Sequence, residues 1–184
     1  MSTRTESEHG TVLLRIARAA IASRFGLWFD CRDDADFLYE QRASFVTLTI
    51  SGRLRGCIGS LQAHRRLLDD VKANAEAAAF RDPRFRPLTA TEYTETAIEI
   101  SLLSPLSPME VQDEQDALSQ LQPGVDGVVL QCGQNRGTFL PQVWESLPDP
   151  QRFLGELKRK AGFSPDFWSD DVRLFRYHVD KFTE

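Results

Sequence analysis

Hydrophobic residues recur at helical spacing in three segments of the chain. In residues 7–25 they fall three and four positions apart, which predicts an amphipathic helix. Residues 67–80 show the same spacing and are rich in alanine, whose small side chain lets a helix lie close to a sheet. Asp149 followed by Pro150 is a typical helix start, so a third helix is predicted from this pair to Gly162.

Six further segments have the alternating or β-branched composition of β-strands. They are residues 45–50, 53–60, 96–103, 127–132, 137–140 and 172–182. Because only Ser51 and Gly52 separate the first two segments, these are predicted to form a hairpin.

Two segments are predicted to be irregular. Residues 27–42, which include Cys31, are mixed and acidic, and they are predicted to form a loop with a short helical turn. Residues 105–122 contain two prolines and several acidic residues, with a short amphipathic turn at Leu118 and Leu121, and a lobe boundary is placed near residues 104–124. A length of 184 residues favours a single domain overall.

Charge and hydropathy exclude some classes of function. The net charge is -5 and the 22 Lys and Arg residues are scattered, which argues against a nucleic-acid partner. No apolar run approaches the roughly 20 residues of a membrane span, and the N-terminus has no apolar signal-peptide core. We therefore expect a soluble, cytoplasmic protein that has no membrane partner.

The cysteines and histidines show no metal-ligand spacing. Cys31, Cys57 and Cys132 form no CxxC pair, and we expect all three to be reduced thiols. The three histidines are equally dispersed, so no metal site is predicted. No Gly-rich phosphate loop is present, and we predict no cofactor.

The richest chemistry lies in the second strand of the hairpin. Side chains alternate along a strand, so Arg55 and Cys57 are predicted to point the same way, and the cation would favour the thiolate. Gly56 and Gly59 would leave backbone open to another molecule. The alternative is a buried structural cysteine with an arginine that reaches to solvent.

Three other residues are candidates for chemistry. Glu99 lies in the middle of a predicted strand, where it is either a salt-bridged carboxylate or a general base. His178 lies in the closing strand, as a structural residue or a proton carrier. Arg84 follows Asp82 and Pro83 in a dense turn, where it is either an anion-binding group or a partner of Asp82.

Several of these motifs together resemble the AMMECR-type domain family, which includes AmmeMemoRadiSam system protein A of bacteria and archaea. The resemblance covers roughly residues 13–182 and rests on motifs in a fixed order. These motifs are Leu54-Arg55-Gly56-Cys57-Ile58-Gly59, Asp82-Pro83-Arg84-Phe85, Glu99 in its strand, residues 124–127, Leu140-Pro141-Gln142-Val143 and Lys160-Ala161-Gly162.

The resemblance implies a fold and a cellular context. The implied fold is α+β, a single domain over about residues 7–182, with two unequal lobes built from mixed or antiparallel sheet and packed helices. The signature strand would line the cleft between the lobes. The family name implies a pathway shared with a Memo-like protein and a radical SAM protein, without a settled reaction.

The sequence is therefore consistent with two alternative functions. In the first, the protein is an enzyme in which Cys57 is the nucleophile, Arg55 activates it or binds an anionic substrate, and Glu99 or His178 moves protons. In the second, the same cleft binds an unknown small molecule, a peptide or a protein without chemistry. Arg55 and Arg84 would then bind anions, and Gln142 would make a polar contact.

Overall fold

The computed structural model describes residues 2–28 and 34–184. Its helices are α1 (Ser2–Ser23), α2 (Leu67–Phe80), α3 (Ala90–Glu95), α4 (Glu114–Gln120) and α5 (Pro150–Lys160). Its strands are β1 (Ser44–Ile50), β2 (Arg53–Gly59), β3 (Thr96–Leu103), β4 (Ser107–Met109), β5 (Gly127–Cys132), β6 (Asn135–Phe139), β7 (Arg173–Tyr177) and β8 (Val179–Thr183). Within these residues the strands form two antiparallel four-stranded sheets, which confirms the expected α+β class.

The chain divides into two compact units. The first contains the described residues of Met1–Leu103 together with Asp180–Glu184, and the second is Ser104–Val179. Each unit has its own cluster of buried apolar side chains.

The first unit is a sheet with two helices packed against it. Its strand order is β2-β1-β3-β8, and α2 contacts β1 and β2 while α1 contacts β3 and α2. The core includes fully buried residues such as Leu13 and Ile16 in α1, Val46 and Leu48 in β1, and Val71 in α2. One face of the sheet therefore supplies this core, as the alternation in residues 45–50 predicted.

A buried polar group ties α2 to the start of β1. The Asp70 carboxylate, fully buried, accepts hydrogen bonds from the backbone N–H and the hydroxyl of Ser44 at 2.9 and 2.6 Å. It also accepts from the Asn74 amide at 2.9 Å and from Arg65 Nε at 2.7 Å. The buried charge is thus fully partnered, which a carboxylate in a core requires.

The second unit has the sheet order β4-β7-β5-β6, with α5 packed against β6. The ring of Trp144 stacks on that of Phe153 with centroids 3.7 Å apart. Lys158, whose side chain is fully buried, donates to Glu114 and to the carbonyl of Pro165, and so connects α5 to α4. A buried ammonium needs such partners to remain in the interior.

The regular segments were predicted well, and three short features were not. The structure places α2 and β3 at the predicted bounds, 67–80 and 96–103. The sequence interpretation omitted α3, which a capping box of Thr89 and Glu92 begins, and also β4 and the 3-10 helix Pro141–Glu145. The strand predicted over 172–182 is two strands, β7 and β8, which belong to different sheets.

The acidic loop predicted over residues 27–42 is described in part. A 3-10 helix spans Asp36–Tyr39, which corresponds to the short helical turn expected there. Cys31, with the rest of residues 29–33, lies outside the described residues.

Candidate thiol site on the first sheet

The hairpin that carries the signature contains a β-bulge. Ser51 and Gly52 both have positive φ, 51° and 73°, as a two-residue hairpin turn requires. Beyond the turn, Thr49 pairs with Leu54, but Leu48 pairs with Gly56, so Arg55 is an extra residue in β2. A bulge of this kind breaks the alternation of faces.

The bulge changes which side chains accompany the thiol. Thr47 pairs with Cys57 and Thr49 pairs with Leu54, so Cys57 and Leu54 lie on one face. Unbroken alternation had placed Leu54 on the opposite face. In the structure Leu54 is 45% exposed, as is expected on the face that does not supply the core.

Cys57 is one member of a polar row across the strands. Thr47 lies opposite both Cys57 and Glu99, which places these three residues side by side on β2, β1 and β3. The Thr47 hydroxyl donates a hydrogen bond to Cys57 Sγ at 3.2 Å. On the other side of Thr47, Glu99 Oε1 lies 3.9 Å from the ammonium of Lys181. The row thus runs from a half-buried thiol through a hydroxyl donor to a carboxylate that has an ammonium beside it.

The backbone of Cys57 is held by two residues of the turn after α2. The N–H of Cys57 donates to Asp82 Oδ2 at 2.9 Å, and Arg84 Nη2 donates to the Cys57 carbonyl at 3.2 Å. Arg84 Nη2 also pairs with Asp82 Oδ2 at 2.7 Å. The hydrogen bonds from Arg84 and from the Cys57 N–H hold the pKa of Asp82 well below its ordinary value. We call Asp82 and Arg84 the edge clasp.

Arg55 has a carboxylate partner in α3. Its Nε and Nη2 donate to the two oxygens of Glu92 at 3.0 and 3.1 Å, and Nη2 also donates to the Arg86 carbonyl at 2.9 Å. The Arg55 guanidinium lowers the pKa of Glu92 to about 2, with help from the N–H of Thr89. The structure thus brings Arg55 together with Glu92, whereas the sequence interpretation had paired its charge with Cys57.

The two glycines of the signature lie against atoms of the chain itself. A Cβ added to Gly56 would be 2.1 Å from the Ala78 carbonyl oxygen in α2. A Cβ added to Gly59 would be 2.3 Å from the ring of Phe45. The spaces that were predicted to admit another molecule are therefore occupied by α2 and by Phe45, which explains both glycines by packing.

The remaining predicted residues lie in the second unit. His178 is exposed between β7 and β8, and its backbone N–H donates to the Ser104 hydroxyl at 2.9 Å. Gln142 is exposed in the 3-10 helix Pro141–Glu145. Cys57, Glu99, Arg55 and Arg84 belong to the first unit.

Three residues of this site were missed in the sequence interpretation. Asp82 was predicted as a turn residue and a partner of Arg84, which it is, but not as the acceptor that holds the Cys57 N–H. Glu92 had a signal, since Thr89 and Glu92 have the spacing of a capping box. No sequence signal pointed to Thr47, because a hairpin without the bulge would place it opposite Gly56 and not opposite Cys57.

The described residues offer neither a metal-binding cluster nor a membrane-spanning helix. Over 2–28 and 34–184, no group of three or more His, Cys, Asp or Glu side chains is arranged to hold a metal ion. In the same part of the chain, no helix has both the length and the apolar character to cross a membrane. Cys57 and Cys132 are free thiols.

Fold and site define an α+β protein of two units with a half-buried thiol on an edge strand of the first. The chain belongs to the AMMECR1 family, whose model matches residues 14–182. It is 36% identical to a protein of Methanothermobacter thermautotrophicus, over 96% of this chain and 95% of the relative. It is 38% identical to a Saccharolobus islandicus protein, over 97% and 82%.

A solved structure has the same fold. The crystal structure of the uncharacterised protein PH0010 from Pyrococcus horikoshii matches with a TM-score of 0.77 and 31% sequence identity. The match covers 97% of this chain and 92% of the other.

Proposed function

We propose that the protein is an enzyme that uses the Cys57 thiol as a nucleophile toward a small electrophilic molecule. The observation that carries this proposal is the hydrogen bond from the Thr47 hydroxyl to Cys57 Sγ, at 3.2 Å. A donor aimed at sulfur stabilises the thiolate, which is the nucleophilic form, more than it stabilises the thiol.

The surroundings of the thiol suit such a role. Cys57 is half-buried on the face of the sheet opposite Leu48 and Gly56, so its sulfur is not packed beneath α2. The neighbouring row of that face holds Leu54 and Ala97, both exposed, on either side of Thr49. A substrate would thus meet a nucleophile beside a small apolar surface.

Glu99 is the proposed proton acceptor. It lies on the far side of Thr47 and is one-third exposed, with Lys181 as a loose partner at 3.9 Å. Because Thr47 lies between the two residues, a proton leaving the thiol would reach Glu99 only through water. For His178 and Gln142 the proposal rests on the sequence argument alone, with His178 as a proton carrier and Gln142 as a substrate contact.

The proposed setting is a cytoplasmic pathway shared with a Memo-like protein and a radical SAM protein. This part of the proposal rests on what the family resemblance implies. Co-elution of the purified proteins in size-exclusion chromatography is the expected result if they form a complex.

The alternative is a module that binds a small molecule or a protein on the same face without chemistry. One observation favours it over catalysis: the Arg55 guanidinium, the cation expected to activate Cys57, bonds to Glu92 instead of to the thiol. A binding module would keep its ligands in a Cys57→Ser variant, as measured by calorimetry.

The Thr47→Val variant tests the nucleophile directly. Valine keeps the shape of threonine and its preference for strands but lacks the hydroxyl. We expect alkylation of Cys57 by iodoacetamide, followed by peptide mass spectrometry, to be roughly fivefold slower, the effect of losing one hydrogen bond.

Thr49→Val is the matched control. Thr49 lies on the same strand and face but is opposite Leu54, so its loss should leave the rate unchanged. Equal rates in the Thr47→Val variant and the wild type would overturn the nucleophile proposal and leave the binding module.

A further inference from the structure

Strand β2 lies at the edge of its sheet, and an edge strand has backbone groups without a neighbouring strand. The N–H and the carbonyl of Cys57 are two such groups, since both bond to side chains instead of to β1. Thr47 and Cys57 are therefore a non-hydrogen-bonded pair, the kind in which cross-strand side chains approach most closely. This geometry brings the Thr47 hydroxyl to the sulfur.

The edge clasp replaces the missing strand at this one residue. Asp82 supplies the acceptor and Arg84 supplies the donor that a neighbouring strand would offer. The two residues of the edge clasp also bond to each other: Asp82 Oδ1 accepts from the backbone N–H and from Nε of Arg84, at 3.1 and 3.0 Å. The Asp82 side chain is 1% exposed and that of Arg84 is 54% exposed.

The clasp lies next to the point where β2 is least constrained by β1. The extra residue Arg55 interrupts the ladder two positions before Cys57. A bulge loosens the pairing register locally, so a second contact is needed to fix the residues beside it.

We propose that Asp82 and Arg84 are positioning residues for Cys57, which hold its backbone so that the thiol meets the Thr47 hydroxyl. The inference rests on the proposed role of Cys57 as nucleophile. It gives Arg84 a role through Cys57 in place of the direct anion contact predicted from the sequence.

Arg84→Met is the main test, because the residue is exposed enough for the variant to fold. Arg81→Met, three residues earlier and also exposed, is its matched control. We expect hydrogen exchange of the Cys57 amide, measured by NMR, to be about tenfold faster in Arg84→Met and unchanged in Arg81→Met. Arg84→Lys, which retains a cationic donor, should restore part of the protection.

A double-mutant comparison separates positioning from simple stability. If the clasp aims the thiol, Thr47→Val will slow alkylation of Cys57 in the wild-type background but have no effect in the Arg84→Met background. A merely structural clasp would leave the Thr47 effect the same in both backgrounds. Asp82→Asn, which keeps an acceptor for the Cys57 N–H, should retain more of the effect than Arg84→Met.

The outcomes distinguish the two proposals. The positioning role would be overturned if the Cys57 amide exchanged at the same rate in Arg84→Met as in the wild type. It would also be overturned if Thr47→Val slowed alkylation of Cys57 as much in the Arg84→Met background as in the wild-type background. A third result is faster exchange of the Cys57 amide in Arg84→Met, with Thr47→Val leaving the alkylation rate of Cys57 unchanged in both backgrounds. That result would overturn the nucleophile proposal and the positioning role with it, and the edge clasp would then serve only the stability of the fold.

Discussion

At the scale of single residues, the signature mostly stabilises its own fold. Arg55 pairs with Glu92, and Gly56 leaves room for the carbonyl of Ala78. These contacts explain why a charge and a glycine flank the thiol without any ligand. Cys57 is the exception. Its side chain contacts Thr47 on the face of the sheet that does not supply the core, while its backbone is held by the edge clasp.

Gly56→Ala tests the close approach of α2. The added Cβ would lie 2.1 Å from a backbone oxygen, so the helix or the strand must move. We expect a loss of about 2 kcal/mol or more in the free energy of unfolding, measured in urea.

Gly155→Ala is the contrasting substitution. Its added Cβ would be at an ordinary 3.5 Å from Pro165, in the middle of α5. Alanine favours a helix over glycine, so this variant should gain about 0.5–1 kcal/mol. Equal effects at the two positions would contradict the packing argument.

At the scale of elements, what the sequence could reveal depended on how local each signal is. Helix α2 and strand β3 were predicted at their observed bounds because their periodicity is long and unbroken. The bulge at Arg55 could not be predicted, since its side chain is held by α3 and the preceding turn, more than 25 residues away in sequence. The motif therefore pointed to Cys57 as a candidate residue, but gave no sign of the residues that contact it.

Glu92 links β2 to α3 through a bond that acid should break. Its folded pKa, about 2, is below the ordinary 4.5, so the carboxylate stabilises the fold above pH 4.5. That stabilisation is lost as the pH falls from about 4.5 toward about 2, since the unfolded chain takes up the proton first.

Glu92→Gln should therefore lower the free energy of unfolding at pH 7, and the difference from wild type should shrink as the pH approaches 2. Urea titrations across this range measure it. Glu95→Gln on the same helix is the control, and a constant gap between Glu92→Gln and the wild type would refute the pairing.

At the scale of the whole molecule, the chain is two compact units, each with its own sheet and core. The apolar pattern of residues 172–182 runs through both β7 and β8, so it gave no sign that the two strands belong to different sheets. Among the described residues, the first unit carries the free, half-buried thiol of Cys57 and the second that of Cys132. Cys132 packs against the apolar core of its unit, and its Sγ lies 3.9 Å from the Ser169 hydroxyl.

The wild-type protein therefore contains its own comparison for the central proposal. Iodoacetamide alkylation of Cys57 and Cys132 is followed in one sample at pH 7.5, with each peptide quantified by mass spectrometry. Cys57 should react about fivefold faster, because a hydroxyl at 3.2 Å donates to its sulfur. If Cys57 reacts no faster than Cys132, the thiol is structural and the protein is not a Cys57-dependent enzyme.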